Sequence, residues 1–390
     1  MGKEKTSMPK GRSSNFELLR VVAMMMIVVY HIIYHCLAVQ MEGGNSSVPL
    51  VNKMYQYPFF YKETILIDEL LTFGSIANAI FLLLSGYFMV KKGSEIDLIQ
   101  IAKKLLLQLG FATIFLTLAS NVVFQLDGAN HYYSLYHVLM FNGASWYIGY
   151  YFLVVLLGAL FLNRILLGWS RRQYAVFLVV AFAAIQFTFS FDIINGLSSR
   201  MGIAVTGVFL YALGGYVRLY DPFRNIRTYT LFLIMAVVAG LVALSSYSAT
   251  QSDLAYFYRC TPNVVYQQRR FAYEINSIVV LILAVCLFEL FKRIKMPQSR
   301  FINFLGSGTF MVYLIHDNNF VYSIWGQKDW VVEFNGYMPR FLFELTKWAG
   351  ATFAVGILAY ALYQGLVKLY PAVKWLFVKK ETETDESVRA

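Results

Sequence analysis

Charge is scarce in this sequence: Asp, Glu, Lys and Arg make up 14% of its 390 residues, where an ordinary soluble domain carries about 25%. With 58% hydrophobic residues, the chain cannot cover a water-facing surface. Ten membrane spans of roughly 20 residues each would use about half of it, leaving short connections and no room for a separate soluble domain. Cysteine is scarcer still. Cys36, Cys260 and Cys286 form no C-x-x-C pair and show no metal spacing, which excludes a disulfide framework and a zinc finger and leaves only a single Cys36–Cys260 bridge open. Several catalytic signatures are missing too. There is no phosphate loop of the G-x-x-x-x-G-K-[ST] form. Gly306-Ser307-Gly308 is an incomplete nucleophile elbow with no strand before it. Asp68-Glu69, Asp127 and Asp317 form no metal-binding pair of the kind a membrane glycosyltransferase needs.

What is present is a succession of apolar runs bounded by charge, Gly, Pro or Asn. They predict an all-α polytopic membrane protein with spans near 16–38, 66–90, 103–124, 145–163, 173–191, 201–218, 229–248, 273–292, 302–323 and 341–367. The net charge of +11 comes in bursts between these runs, which points to membrane topology rather than to nucleic acid. With the N-terminus inside, 24 of the 33 basic residues fall in cytoplasmic segments, so the positive-inside rule places both termini in the cytoplasm of a multi-pass protein of the cell membrane. The basic start followed by an apolar run resembles a signal peptide, but no small-residue cleavage site follows it, which predicts an uncleaved first span. The chain divides into a basic cytoplasmic segment 1–15, a membrane domain 16–370 and a polar cytoplasmic tail 371–390, whose charge-mixed end is expected to lack structure. The outer loops 39–65, 125–144, 249–272 and 324–340 are rich in Tyr, Phe, Trp and Asn. They read first as an interfacial aromatic belt and second as sugar-stacking surfaces. His131 and His137 lie in one of them.

The first span carries the chemistry. Arg20 and His31 are eleven residues apart, three helical turns with a drift of about 20°, so they share one face. Glu17 lies a turn before Arg20 and His35 a turn beyond His31, which gives a polar stripe on an apolar helix. Intramembrane Arg and His mark pathways or sites. The plainer reading is that Arg20 snorkels to the inner headgroups beside Glu17 while the histidines sit near the outer interface. A zinc site from His31 and His35 lacks the Glu of H-E-x-x-H and a third ligand, so no metal is expected.

An Arg, ten intervening residues and a His in the first span resembles the signature of the acyltransferase-3 family of membrane O-acyltransferases. Three further stretches are similar to that family: Phe81-Leu-Leu-Leu-Ser85-Gly86-Tyr87-Phe88 in the second span, Ser145-Trp146-Tyr147 at the entry of the fourth, and Leu305-Gly306-Ser307-Gly308-Thr309-Phe310-Met311-Val312-Tyr313-Leu314-Ile315-His316 in the ninth. The match runs from the first span to the ninth. Two departures stand out. Lys103-Lys104 precede the third span in place of the more usual arginines, and no extracellular hydrolase-like domain follows the tenth, which suggests a stand-alone form.

The resemblance implies an enzyme that takes an acyl group, most often acetyl, from cytoplasmic acyl-CoA and places it on a hydroxyl of an envelope glycan or its lipid-linked precursor. On that reading His31 is the general base, Arg20 binds or orients the donor and His316 lines the same cavity. Candidate partners of the CoA phosphates are Lys91, Lys92, Lys103, Lys104, Arg164, Arg171 and Arg172, whose charges serve topology equally well. Trp146 and the outer arginines Arg259, Arg269 and Arg270 are candidates for the acceptor, the arginines because they run against the positive-inside trend. The rival is a transporter or flippase for a lipid-linked sugar, which predicts broken helices at matching places in two halves of the chain; none are visible in the sequence.

Overall fold

The computed structural model describes residues 13–41, 60–126, 146–188, 197–260 and 274–389. Every regular element among them is helical. In chain order the main helices are α1 (Ser14–Ile32), α2 (Phe60–Met89), α3 (Leu98–Leu126), α4 (Trp146–Leu157, continued by a π-helical turn Gly158–Leu162 and a last helical stretch Asn163–Gly168), α5 (Arg171–Ala183) and α6 (Leu197–Tyr220). They are followed by α7 (Thr228–Cys260), α8 (Ile278–Arg293), α9 (Arg300–His316), the short α10 (Asn319–Gly326) and α11 (Trp330–Asn335), and α12 (Met338–Arg389). Each expected span corresponds to one of the ten long helices. Among the described residues seven are long and apolar enough to cross a membrane, α4 together with its continuation to Gly168. The other three, α5, α8 and α9, have 13, 16 and 17 residues, and 17 residues at 1.5 Å each reach about 25 Å, short of a hydrocarbon core of about 30 Å.

The helix α1 packs against α2, α8, α9 and α12. Its first turn is tied down by polar side chains rather than by apolar contact alone. The Ser14 hydroxyl donates to Asn303 Oδ1 at 2.8 Å and accepts from the Ser299 N–H at 2.8 Å, and Asn15 donates to the Phe291 carbonyl at 3.0 Å. Without bulk water, such backbone groups at helix ends must find partners inside the protein. The helices α2 and α6 touch backbone to backbone: a Cβ at Gly86 would lie 1.8 Å from the Tyr211 carbonyl oxygen, and one at Gly214 would lie 2.1 Å from that of Leu83. Ser85-Gly86 therefore serves close helix packing. A buried hydrogen bond from Ser246 to Asp68 joins α7 to α2.

Several boundaries differ from those read in the sequence. The apolar run 302–323 is not one helix: α9 stops at His316, Asp317 leaves the helical conformation with φ −94 and ψ 68, and the Asn318 side chain caps α10 by accepting from the Val321 N–H at 3.1 Å. Hydropathy continues across this break, but Asp and Asn supply the stop and the new cap. The helix α7 runs on to Cys260, into what reads as an outer loop, and α12 continues through the polar tail to Arg389. Cys36 is a free, buried thiol, so no bridge to Cys260 forms. Beyond Ile32, α1 passes into a π-helical turn, Ile33–Ala38, of the kind often found at functional sites.

Candidate functional site

The break after α9 places three polar residues against α1. His316 is fully buried, and its Nδ1 lies 3.1 Å from the Val312 carbonyl and 2.8 Å from that of Tyr313. Carbonyls only accept, so this nitrogen carries the proton, and in the neutral ring Nε2 is then an acceptor. His31 Nδ1 lies 2.8 Å from that Nε2. His31 therefore donates through Nδ1, which leaves the lone pair on its own Nε2. This tautomer is assigned from hydrogen-bond partners. It is the form a general base needs.

Asp317 completes the cluster, with a carboxylate oxygen 3.8 Å from His31 Nδ1. It also accepts hydrogen bonds from the Tyr313 and Tyr322 hydroxyls, which fix it in place. A carboxylate so held would favour an imidazolium at His31 over one with no anion beside it. His35, within the π-helical turn, stacks on Tyr322 with ring centroids 3.9 Å apart. His31, His35 and Asp317 present ligand atoms within 4.8 Å of one another, so the third ligand missing from the i, i+4 spacing is supplied by the fold. In the structure, hydrogen bonds occupy His31 Nδ1 and the Asp317 carboxylate.

Two cavities meet beside this cluster. The first, of about 280 Å³, is lined by Arg20, Lys104, Gln108, Tyr151, Ser307 and Thr309 among apolar groups such as Met24, Phe81 and Leu105. The second, of about 260 Å³, is lined by Tyr30, His31, Ser75, Asn78, Glu274 and Asp317. Ile27, Tyr147 and Tyr313 line both, so these three side chains form the wall between them. The Tyr147 hydroxyl is held by donating to the Asn78 carbonyl at 2.9 Å. Arg20 pairs with the buried carboxylate of Glu17 at 2.5 Å, and its guanidinium lies 5.7 Å from the Phe88 ring centre. Gly306 allows the close approach, since a Cβ there would sit 2.3 Å from Glu17 Oε2.

Of the residues singled out in the sequence, the fold brings His31 and His316 together at one cavity and Arg20 and Lys104 together at the other. Lys91, Lys92, Lys103, Arg164, Arg171 and Arg172 are exposed and outside both linings. Trp146 opens α4 and Arg259 lies in α7, but their side chains are not among those described, and Arg269 and Arg270 lie outside the described residues. Sequence reasoning did not find Asp317, Tyr322 or Gln108 as site residues. Asp317 directly follows His316, and Gln108 is four residues after Lys104, so a stricter use of helical spacing would have raised Gln108, whereas Asp317 depends on the helix break.

A family model described as an acyltransferase domain matches residues 13–364, which takes in every element from α1 into α12. Searches of curated proteins and of solved structures gave no match.

Proposed function

This chain belongs to the acyltransferase-3 family and is a membrane O-acyltransferase; on that footing we propose that it carries an acyl group from cytoplasmic acyl-CoA to a hydroxyl of an envelope glycan or its lipid-linked precursor. The observation that carries this reading is the pair of cavities that share a wall beside His31. Acyl-CoA does not cross a bilayer, so its phosphates stay at the basic inner face while the pantetheine arm enters past Arg20 and Lys104. The thioester then arrives at the wall of Ile27, Tyr147 and Tyr313, and the acceptor hydroxyl approaches from the side of His31.

The chemistry balances with this chain's own side chains. His31 Nε2 takes the hydroxyl proton as the acceptor oxygen attacks the thioester carbonyl. The His316 Nε2 and the Asp317 carboxylate hold the resulting imidazolium. The tetrahedral centre then collapses, the C–S bond breaks, and the proton on His31 passes to the departing CoA thiolate. Arg20 is about 16 Å from His31 along the helix at 1.5 Å per residue, so its part is donor binding and not proton transfer. Lys91, Lys92, Lys103, Arg164, Arg171 and Arg172 would extend the phosphate-binding face, and Trp146, Arg259, Arg269 and Arg270 would meet the acceptor outside. In this topology both termini lie in the cytoplasm, ten helices cross the cell membrane, and the chain divides at 15 and 370.

Chemical analysis of surface glycans from cells with and without the gene tests the reading. Alkali-labile esters should disappear from one glycan fraction on deletion. Unchanged ester content in every fraction would overturn the reading and leave sugar translocation as the better account.

A further inference from the structure

The polar side chains of the Arg20 cavity are nearly all engaged with the protein itself. Ser307 donates to the Asn303 carbonyl at 2.6 Å and Thr309 to that of Gly306 at 2.9 Å; Tyr151 pairs with Ser85 at 3.0 Å, Tyr147 with the Asn78 carbonyl, and Tyr313 with Asp317. Gln108 is different. Its side chain is 1% exposed, it lines the cavity, and its Oε1 is buried with no hydrogen-bond partner among the described residues. More than nine in ten buried polar groups are paired, and an unmet amide in an apolar wall is costly. Its position makes sense if a ligand supplies the missing partner.

The ligand's chemistry can be read from the surroundings. Gln108 is one helical turn beyond Lys104 on the same face of α3, about 6 Å further along the axis. A molecule reaching both has an anionic group at Lys104 and Arg20, a slender part that tolerates Met24, Phe81 and Leu105, and a group that pairs with a carboxamide. A secondary amide does this in either orientation of the glutamine, because each side offers one N–H and one C=O. Pantetheine has this form: its first amide follows the pyrophosphate by about five bonds, a distance of roughly 6 Å at ordinary bond lengths. Resting on the acyl-CoA reading above, we propose that Gln108 is the donor-binding residue that pairs with an amide of the pantetheine arm and so sets the depth at which the thioester stops.

The test uses the full-length protein purified in detergent and two probes: acetyl-CoA, and adenosine 3′,5′-bisphosphate, which carries phosphates but no pantetheine. Gln108→Leu should weaken acetyl-CoA binding about tenfold, the order expected for one buried hydrogen bond, while leaving the bisphosphate unaffected. If Gln108→Leu lowers both equally, the near-isosteric Gln108→Met decides with the same pair of probes. Selective loss of acetyl-CoA in either variant supports the proposal. Unchanged acetyl-CoA binding in both variants, or equal loss of both probes in both, overturns it. A wild-type protein that binds neither probe would sink the acyl-CoA reading itself.

Discussion

The two cavities are close in size, about 280 and 260 Å³, and opposite in chemistry. One offers two cations, an amide oxygen with no partner among the described residues and an apolar wall; the other offers a histidine, two carboxylates and small polar groups, with no cation among its described lining. Cations and a hydrogen-bonding amide suit a long anionic donor. A neutral imidazole backed by a carboxylate suits the removal of a proton from an uncharged hydroxyl. In the proposed reaction the labour of group transfer is divided by place: charge recognition on one side of Ile27, Tyr147 and Tyr313, proton handling on the other.

That division is sharpened most by His31→Gln, which keeps hydrogen-bonding capacity but cannot take the proton. Acyl transfer should fall by about 10²- to 10⁴-fold, the range for a general base, while acyl-CoA binds with wild-type affinity because His31 does not line the donor cavity. Loss of acyl-CoA affinity in a folded His31→Gln protein would break the comparison. A smaller effect is expected of Lys104→Gln. It should raise the KM for acyl-CoA by roughly tenfold, one charge-assisted hydrogen bond, and leave kcat at saturating donor unchanged. It is a cleaner probe than Arg20, which is paired with the buried Glu17 carboxylate. The smallest of the three is Asp317→Asn, which keeps an oxygen for the Tyr313 and Tyr322 hydroxyls but removes the charge beside His31. It should lower kcat by roughly three- to fivefold, about 1 kcal/mol for a charge beside the imidazolium but outside hydrogen-bond distance. It should leave KM for acyl-CoA alone; a change in KM without one in kcat would place Asp317 with the donor instead.

Much of this was legible in the residues. Hydropathy located every long helix, and the eleven-residue spacing set Arg20 and His31 on one face of α1 and hence toward one side of the bundle. His316 was legible only through the similarity of its segment to a known family, since nothing in its own spacing says that it meets His31, 285 residues away in the chain. Asp317 was obscured because hydropathy averages over a window, and the apolar residues on both sides of 316–318 conceal a break made by two short polar side chains. Gln108 was obscured for a different reason. Its significance is an unmet hydrogen bond, and whether a buried amide is paired depends on every neighbouring helix.

In the proposed reaction, donor and acceptor reach His31 from opposite faces of the membrane. Right-side-out vesicles from cells that make the protein test this directly, with radiolabelled acetyl-CoA either sealed inside or added outside, and alkali-labile label then measured in the externally exposed glycans. Label should appear only when acetyl-CoA is sealed inside, and it should be lost in His31→Gln vesicles. Labelling of intact vesicles by acetyl-CoA added outside would contradict this arrangement.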